Sequence, residues 1–270
     1  MLRRILNELK TIDEEAGRAP ILRHEAAIAL AYTAFGLLAL HYLKLHSSLQ
    51  ALLSTLDAWF GRPAGSLLRE LHDTGYLGLI SQAWWGAWHA LIYLLIPILI
   101  IRYRHRQPLT RYGLCWGDTR HWAGWYVVLA TPIVVFALLA SQRADFLNHY
   151  PFYKLAGRSW FDLISWELIY LSQFFALEFF FRGYLLHALK PRFGALAIAV
   201  MVIPYTMIHF PKPWLEATGA IAFGFFLGLL ALRSRSMIGG FAVHAIVALS
   251  MDLFALARTD RLPAAFWPPG

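Results

Sequence analysis

Long apolar blocks dominate this sequence and limit the folds that it can adopt. Several blocks are about 20 residues long, and short segments rich in arginine separate them. A helix of about 20 apolar residues crosses the hydrocarbon core of a bilayer. A membrane β-barrel would instead alternate apolar and polar residues over shorter segments, and we find no such alternation. The sequence therefore predicts an all-α fold, a polytopic membrane helix bundle of about seven transmembrane helices.

The composition supports this class. Hydrophobic residues make up 59% of the chain and charged residues only 15%, whereas a typical soluble domain carries about 25% charged residues. The net charge of +8 does not indicate a nucleic-acid partner, because the arginines cluster in short loops as the positive-inside rule requires. The partner that this pattern predicts is the lipid bilayer.

The predicted spans divide the chain into a short N-terminal segment and one bundle. They lie near 24–43, 77–101, 122–141, 160–189, 192–210, 214–232 and 237–257. Residues 1–23 precede the bundle of 24–270, and their leucines at helical spacing predict an amphipathic interfacial helix, with a solvated tail as the alternative. The stretch 44–76 has apolar residues at helical spacing and is interpreted as interfacial, with a re-entrant helix as the alternative.

Loop charges predict the orientation. The loop 102–121 holds five arginines against Asp118 alone, so we expect it to be cytoplasmic. Lys190 and Arg233 fall on the same side if seven spans cross the membrane. The N-terminus is then cytoplasmic and the C-terminus lies outside.

Four ionisable residues in the last four spans could carry chemistry. Glu178 and Arg182 are four residues apart, so they share a helix face and can pair, and His209 and His244 follow on later spans. Ionisable groups inside a span cost roughly 2.5–3.5 kcal/mol and usually mark function. A carboxylate and imidazoles can activate water or bind zinc. The structural alternatives are an ion pair for Glu178 and Arg182, an interfacial histidine at a helix end for His209, and a neutral hydrogen-bonded histidine for His244. Glu167, about 16 Å from Glu178 along the helix, is too far away to share one water with it.

Small residues recur along the sixth span at Ala220, Gly224 and Gly228. This spacing allows two helices to approach closely. We expect this face to pack inside the chain against the fourth or seventh span, with a dimer interface as the alternative.

Three motifs on successive spans resemble those of a known family. Glu178 precedes Arg182 by four residues, Tyr205 precedes His209 by four, and His244 follows on the last span. Together they resemble the CPBP family, which includes CAAX prenyl proteases of the Rce1 type and bacterial abortive-infection or bacteriocin-processing membrane proteins. The resemblance covers about 160–257.

Two positions depart from the motifs of the family. Its first glutamate, usually taken as the base that activates water, falls at Leu177, and its asparagine falls at Ala248. By resemblance, Glu178 and Arg182 match the second glutamate and the arginine.

The resemblance implies a glutamic-type intramembrane endopeptidase in a bacterial inner membrane, acting on a peptide or membrane-anchored protein. Glu178 would be the general base, helped by His209, with His244 stabilising the oxyanion and Arg182 orienting Glu178. We expect no cofactor; a divalent metal at Glu178, His209 and His244 is the less favoured variant. One alternative function is a catalytically inactive scaffold or immunity protein, which Leu177 and Ala248 favour. Another is a proton-coupled transporter, against which the lack of an internal repeat argues.

Overall fold

The computed structural model describes residues 2–17, 23–212 and 214–268. Those ranges are mainly helical and contain no strand. The helices are α1 (Leu2–Gly17), α2 (Arg23–Leu43), α3 (His46–Trp59), α4 (Ser66–Asp73), α5 (Leu77–His105), α6 (Thr119–Ala140), α7 (Ala144–His149), α8 (Trp160–Phe193), α9 (Leu196–Met207), α10 (Trp214–Ser234) and α11 (Ile238–Arg258).

The predicted all-α membrane fold is confirmed. In the described ranges, six helices are long and apolar enough to cross a membrane, namely α2, α5, α6, α8, α10 and α11. They correspond to six of the seven predicted spans. The predicted span at 192–210 is instead the 12-residue helix α9, which extends only about 18 Å.

Prolines explain why α9 is shorter than the apolar stretch around it. Pro204 lies inside the helix, and Pro211 follows shortly after its end. The residue before a proline is driven out of the helical region by the proline ring. Pro211 therefore disfavours extension of the helix through Phe210. Helix α9 ends at Met207 and the chain turns through residues 208–212, although apolar residues continue to Phe210.

Contacts between Cα atoms divide the chain into two compact units, and the first holds all four predicted site residues. It comprises the described residues up to Leu37, Tyr93–Leu129 and Phe175–His244. It includes a π-helical segment of α8, Phe179–Leu185, all seven residues of which are buried. The Tyr93 ring stacks on Phe180 with 4.8 Å between ring centroids. π-Helical segments inside α-helices occur frequently at functional sites.

Helix α1 packs within the first unit through one buried face and through ion pairs with Lys190 and Arg233. Ile12 is fully buried. Glu15 Oε2 lies 2.6 Å from Lys190 Nζ, and Glu8 Oε2 lies 2.5 Å from Arg233 Nε. The predicted helix near the N-terminus is thus present, while its location on the membrane surface stays a prediction.

The small-residue face of α10 packs inside the first unit, but on α9. A Cβ on Gly224 would lie 2.8 Å from Cδ1 of Tyr205, and one on Gly228 would lie 2.9 Å from Cε of Met201. The expectation that this face packs against the fourth or seventh span was therefore wrong. Close approach needs glycine here because the aromatic ring occupies the space of a side chain.

The second unit comprises Leu38–Ile92, Ala130–Phe174 and the described residues from Ala245 onward. Its core is aromatic, with Trp166 stacked on Tyr170 at 4.8 Å between centroids. Asp162 is fully buried and accepts hydrogen bonds from Nε and Nη2 of Arg158, both at 2.8 Å. His89 also lies in this unit, and its Nδ1 contacts the carbonyl of Trp85 at 2.8 Å.

Candidate active site

Glu178 and Arg182 form a buried ion pair on α8. Neither side chain has any exposed surface, and Nη1 of Arg182 lies 2.9 Å from Oε1 of Glu178. The pairing agrees with the spacing of four residues in the sequence. A buried pair is expensive to desolvate, and removing one partner typically costs about 3–5 kcal/mol. Such a pair in a span is therefore weak support for a stabilising role and stronger support for a functional one.

His244 of α11 contacts the same carboxylate oxygen. Its Nδ1 lies 3.0 Å from Glu178 Oε1, and its side chain is 11% exposed. Oε1 is thus held by a guanidinium and an imidazole at once. This contact joins the first and last motifs of the sequence, which are 66 residues apart in the chain (244 − 178).

Gly240 makes the close approach of α11 to Glu178 possible. A Cβ at this position would lie 2.2 Å from Glu178 Oε2, a separation that no side chain can occupy without displacing the carboxylate. Gly240 is one helical turn before His244, so both residues lie on the same face of α11. The backbone of α11 therefore forms one wall of the site.

The second oxygen of Glu178 is free to bind another group. Oε2 is buried, and within the described part of the chain no group hydrogen-bonds to it. Buried polar atoms are normally paired with protein or with ordered water. An unpaired carboxylate oxygen next to an imidazole is suited to accept a proton from a water or from a substrate.

Tyr205 links the two histidines. Its hydroxyl oxygen lies 3.3 Å from Nε2 of His244, and its backbone carbonyl accepts a hydrogen bond from Nδ1 of His209 at 2.8 Å. The Arg182 guanidinium carbon stands 4.0 Å from the centre of the Tyr205 ring, a cation–π distance. One tyrosine on α9 thereby contacts parts of all three motifs.

The hydrogen bond of His209 selects its tautomer. A carbonyl can only accept, so Nδ1 carries the hydrogen, and in the neutral imidazole Nε2 is then the acceptor. His209 is half-buried, and its ring packs on that of Tyr205 with 4.7 Å between centroids. His209 therefore presents a basic nitrogen beside the site.

His187 supports the backbone that carries Arg182. Its Nδ1 lies 2.9 Å from the carbonyl oxygens of both Arg182 and Gly183. The π-helical segment shifts the pairing of these carbonyls from the α-helical pattern, and a side-chain donor supplies an additional hydrogen bond. The imidazole of His187 thus turns back along its own helix.

The structure brings the four predicted residues close together, and sequence reasoning missed two of their neighbours. Glu178 contacts both Arg182 and His244, and Tyr205 links His209 to His244. Tyr205 belongs to the motif around His209, but sequence reasoning assigned it no role of its own. Gly240 carries no chemical group, so only the structure reveals its part.

Two further acidic residues lie outside this site. Glu167 and Asp252 belong to the second unit, where Trp166 Nε1 donates to Asp252 Oδ2 at 2.7 Å. Leu177 is 5% exposed and Ala248 is 2% exposed, so the two positions that depart from the family motifs are buried and apolar. A search of the described residues found no group of three or more histidine, cysteine, aspartate or glutamate residues that could hold a metal ion.

The stretch of sequence that carries this site matches a known family model. Residues 158–250 match the family model described as Type II CAAX prenyl endopeptidase Rce1-like. This stretch is similar to the Rce1-like family. It makes up about a third of the chain and contains Glu178, Arg182, Tyr205, His209 and His244. The resemblance read from the three motifs is thus confirmed.

The Rce1-like domain points to a protease, and together with the six apolar helices it identifies an integral membrane protein. Comparison with curated proteins and with solved structures gave no match.

Proposed function

We propose that this chain is a CAAX-type intramembrane endopeptidase that hydrolyses a peptide bond of a membrane-associated protein or peptide. The observation that carries the proposal is the environment of Glu178. One of its oxygens is held by Arg182 and His244, while the other is buried and accepts no hydrogen bond within the described part of the chain. The Rce1-like domain around it supplies the reaction class.

The proposed mechanism is glutamic-type. Arg182 and His244 orient Glu178, whose Oε2 takes a proton from water as the water oxygen bonds to the scissile carbonyl carbon. The carbonyl π electrons move to oxygen. In this step His244 carries a hydrogen on both ring nitrogens, so Nδ1–H stays on Glu178 Oε1 while Nε2–H stabilises the negative charge. The carbon–nitrogen bond then breaks, and the leaving amine takes the proton. His209, with its basic Nε2, helps to hold the water.

The proposal also includes a location. We place the protein in a bacterial inner membrane with its N-terminus cytoplasmic, in line with the arginine-rich loop 102–121. The substrate enters from one membrane face. The hydrolysis needs no cofactor in this scheme. A role in abortive infection or bacteriocin processing is compatible with this activity.

Replacing Glu178 by glutamine tests the mechanism. The amide keeps the size of the side chain but accepts no proton, so we expect cleavage to fall by about 100-fold or more. Cleavage is measured with the purified protein in nanodiscs and internally quenched membrane-anchored peptides, with and without a farnesylated C-terminal CAAX sequence. The melting temperature is measured on the same sample, because Arg182 loses its charged partner.

Glu167→Gln is the matched control, since it is the same change in another glutamate of α8. It should leave cleavage within about twofold, since Glu167 lies about 16 Å along the helix from Glu178. If Glu178 only stabilises the fold, residual cleavage will track the folded fraction. Undiminished cleavage by well-folded Glu178→Gln protein would remove Glu178 from the mechanism.

A catalytically inactive scaffold or immunity protein is the second candidate. It is favoured by Leu177, a buried apolar residue where the family motif has its first glutamate. Wild-type protein that cleaves none of the anchored peptides, while it remains folded by melting temperature, would favour this candidate over the protease.

A further inference from the structure

The hydroxyl of Tyr205 stands at the far edge of the His244 imidazole. Nδ1 of that ring contacts Glu178 Oε1 at 3.0 Å, and Nε2 lies 3.3 Å from the Tyr205 hydroxyl oxygen. Glu178 and Tyr205 therefore contact opposite nitrogens of one ring. Hydroxyl donors typically sit at about 2.5–3.0 Å from their acceptors, so this contact is long and leaves the hydroxyl able to serve another acceptor.

Three neighbours hold the ring of Tyr205 in one place. The Arg182 guanidinium carbon lies 4.0 Å from the ring centre, and Phe181 meets the ring edge-to-face at 5.3 Å between centroids. On α10, Gly224 leaves the space that the ring fills, since a Cβ there would lie 2.8 Å from the ring. Tyr205 is 1% exposed. Its hydroxyl is therefore a preorganised dipole in a site that excludes bulk water.

We propose that the Tyr205 hydroxyl is a catalytic hydrogen-bond donor that binds the oxyanion beside His244. The inference rests on the proposed peptide hydrolysis. Preorganised donors aimed at developing charge in a low-dielectric site stabilise a transition state more than they stabilise the substrate. Tyr205 and His244 Nε2 are 3.3 Å apart, close enough for both to donate to one oxygen atom.

Tyr205 transfers no proton in this step. Water oxygen bonds to the carbonyl carbon, a water proton goes to Glu178, and the carbonyl π electrons become the oxyanion. The hydroxyl donates a hydrogen bond to that oxygen until the carbon–nitrogen bond breaks and the amine takes the proton from Glu178. Atoms and charges balance without any further reactant.

Tyr205→Phe removes only the hydroxyl and keeps the ring against Arg182. We expect kcat for the quenched peptides to fall by about 100-fold, as for the loss of one oxyanion donor, with KM changed by less than about threefold. Tyr184→Phe is the matched control, because Tyr184 is also buried in the first unit and no described residue hydrogen-bonds to its hydroxyl. Tyr184→Phe should cleave like the wild type.

A second measurement separates oxyanion binding from support of the fold. A peptide in which a phosphinate replaces the scissile amide mimics the charged tetrahedral oxygen. We expect Tyr205→Phe to weaken its binding by about the same factor as kcat/KM, while binding of the uncleaved peptide to Glu178→Gln protein is unaffected by adding Tyr205→Phe.

Each result separates this inference from the proposed function. Tyr205→Phe protein that melts like the wild type and cleaves at the wild-type rate overturns the role of Tyr205 and leaves the protease intact. Equal loss of phosphinate and substrate binding overturns it as well, because the hydroxyl would then act on the ground state. A wild-type protein that neither cleaves the peptides nor binds the phosphinate overturns both proposals.

Discussion

Gly240 shows how a residue without a side chain can determine the geometry of this site. Glu178 Oε2 occupies the space next to its Cα, and a Cβ would stand 2.2 Å from that oxygen. We expect Gly240→Ala to displace the carboxylate and lower cleavage by about 100-fold, since a misplacement of about 1 Å can cost that much. The overpacking should also cost about 1–3 kcal/mol of stability. Cleavage rate and melting temperature measure the two effects.

Gly124→Ala is the control for this prediction. Gly124 lies in α6, and a Cβ there would meet nothing within 4 Å, so alanine should preserve both cleavage and melting temperature. Full cleavage by Gly240→Ala protein would mean that Glu178 has room to move without losing its function.

At this scale the sequence predicted pairs within a helix but not contacts between helices. The spacing of Glu178 and Arg182 was sufficient to predict their ion pair, because the helix repeat alone brings them together. The contact of His244 with Glu178 depends on how α11 packs on α8, and the resemblance to a family, rather than any spacing, grouped them. The part of Tyr205 depends on its ring orientation, for which the sequence carries no signal.

Among the helices, α1 and α9 are joined by a capping contact. Asp13 Oδ1 of α1 accepts a hydrogen bond of 2.6 Å from the backbone nitrogen of Ala195, where α9 begins. A carboxylate at a helix N-terminus pairs with an otherwise unsatisfied donor and interacts favourably with the helix dipole. The beginning of α9, which carries Tyr205 and precedes His209, is thus fixed by a residue 182 positions earlier.

Asp13→Ala should therefore lower stability by about 0.5–2 kcal/mol, the usual cost of losing a cap. Differential scanning calorimetry of the purified protein measures the loss, and Asp13→Asn should retain most of the stability because its amide oxygen still accepts. Glu14→Ala, at the exposed neighbouring position, should leave the melting temperature unchanged. Equal melting temperatures for Asp13→Ala and wild type would show that the contact adds nothing.

The length of α9 shows that hydropathy alone does not predict where a helix ends. The apolar stretch at 192–210 is long enough for a span, and the prediction of a full-length helix there followed from composition. Helix length is limited by backbone conformation as well, and Phe210 and Lys212 each precede a proline. Counting the apolar residues identified the position of the element in the chain but overestimated its length.

At the scale of the whole molecule, α9 and α10 form a pair, so that either both helices cross the membrane or neither does. Lys190, just before α9, and Arg233, at the end of α10, both pair with Glu15 of α1, at 2.6 Å and 3.5 Å. The two helices therefore leave and return to the same end of the first unit. Either both cross the bilayer or neither does, and the parity of the topology is the same in both cases.

The arginine-rich loop 102–121 lies at the same end of the first unit. The backbone nitrogen of Asp118 donates to the carbonyl of Ser234 at 2.7 Å, and that of Met237 donates to Gly113 at 3.0 Å. The loop 102–121, the end of α10 and helix α1 thus share one end of the unit, as the sequence predicted from their positive charge. By the positive-inside rule we expect this end to be cytoplasmic.

Reporter fusions test this topology. Between Arg106 and Arg258 the chain passes through α6, α8, α11 and the α9–α10 pair, so it crosses the membrane an odd number of times whether or not the pair spans it. We therefore expect an alkaline phosphatase fusion after Arg106 to be inactive and one after Arg258 to be active, with the reverse pattern for green fluorescent protein. A fusion after Lys212 then tells whether α9 and α10 cross the bilayer. The same reporter signal after Arg106 and Arg258 would mean that one of the helices α6, α8 and α11 does not span the membrane. A fusion after Arg106 that reported the outer side would contradict the cytoplasmic N-terminus.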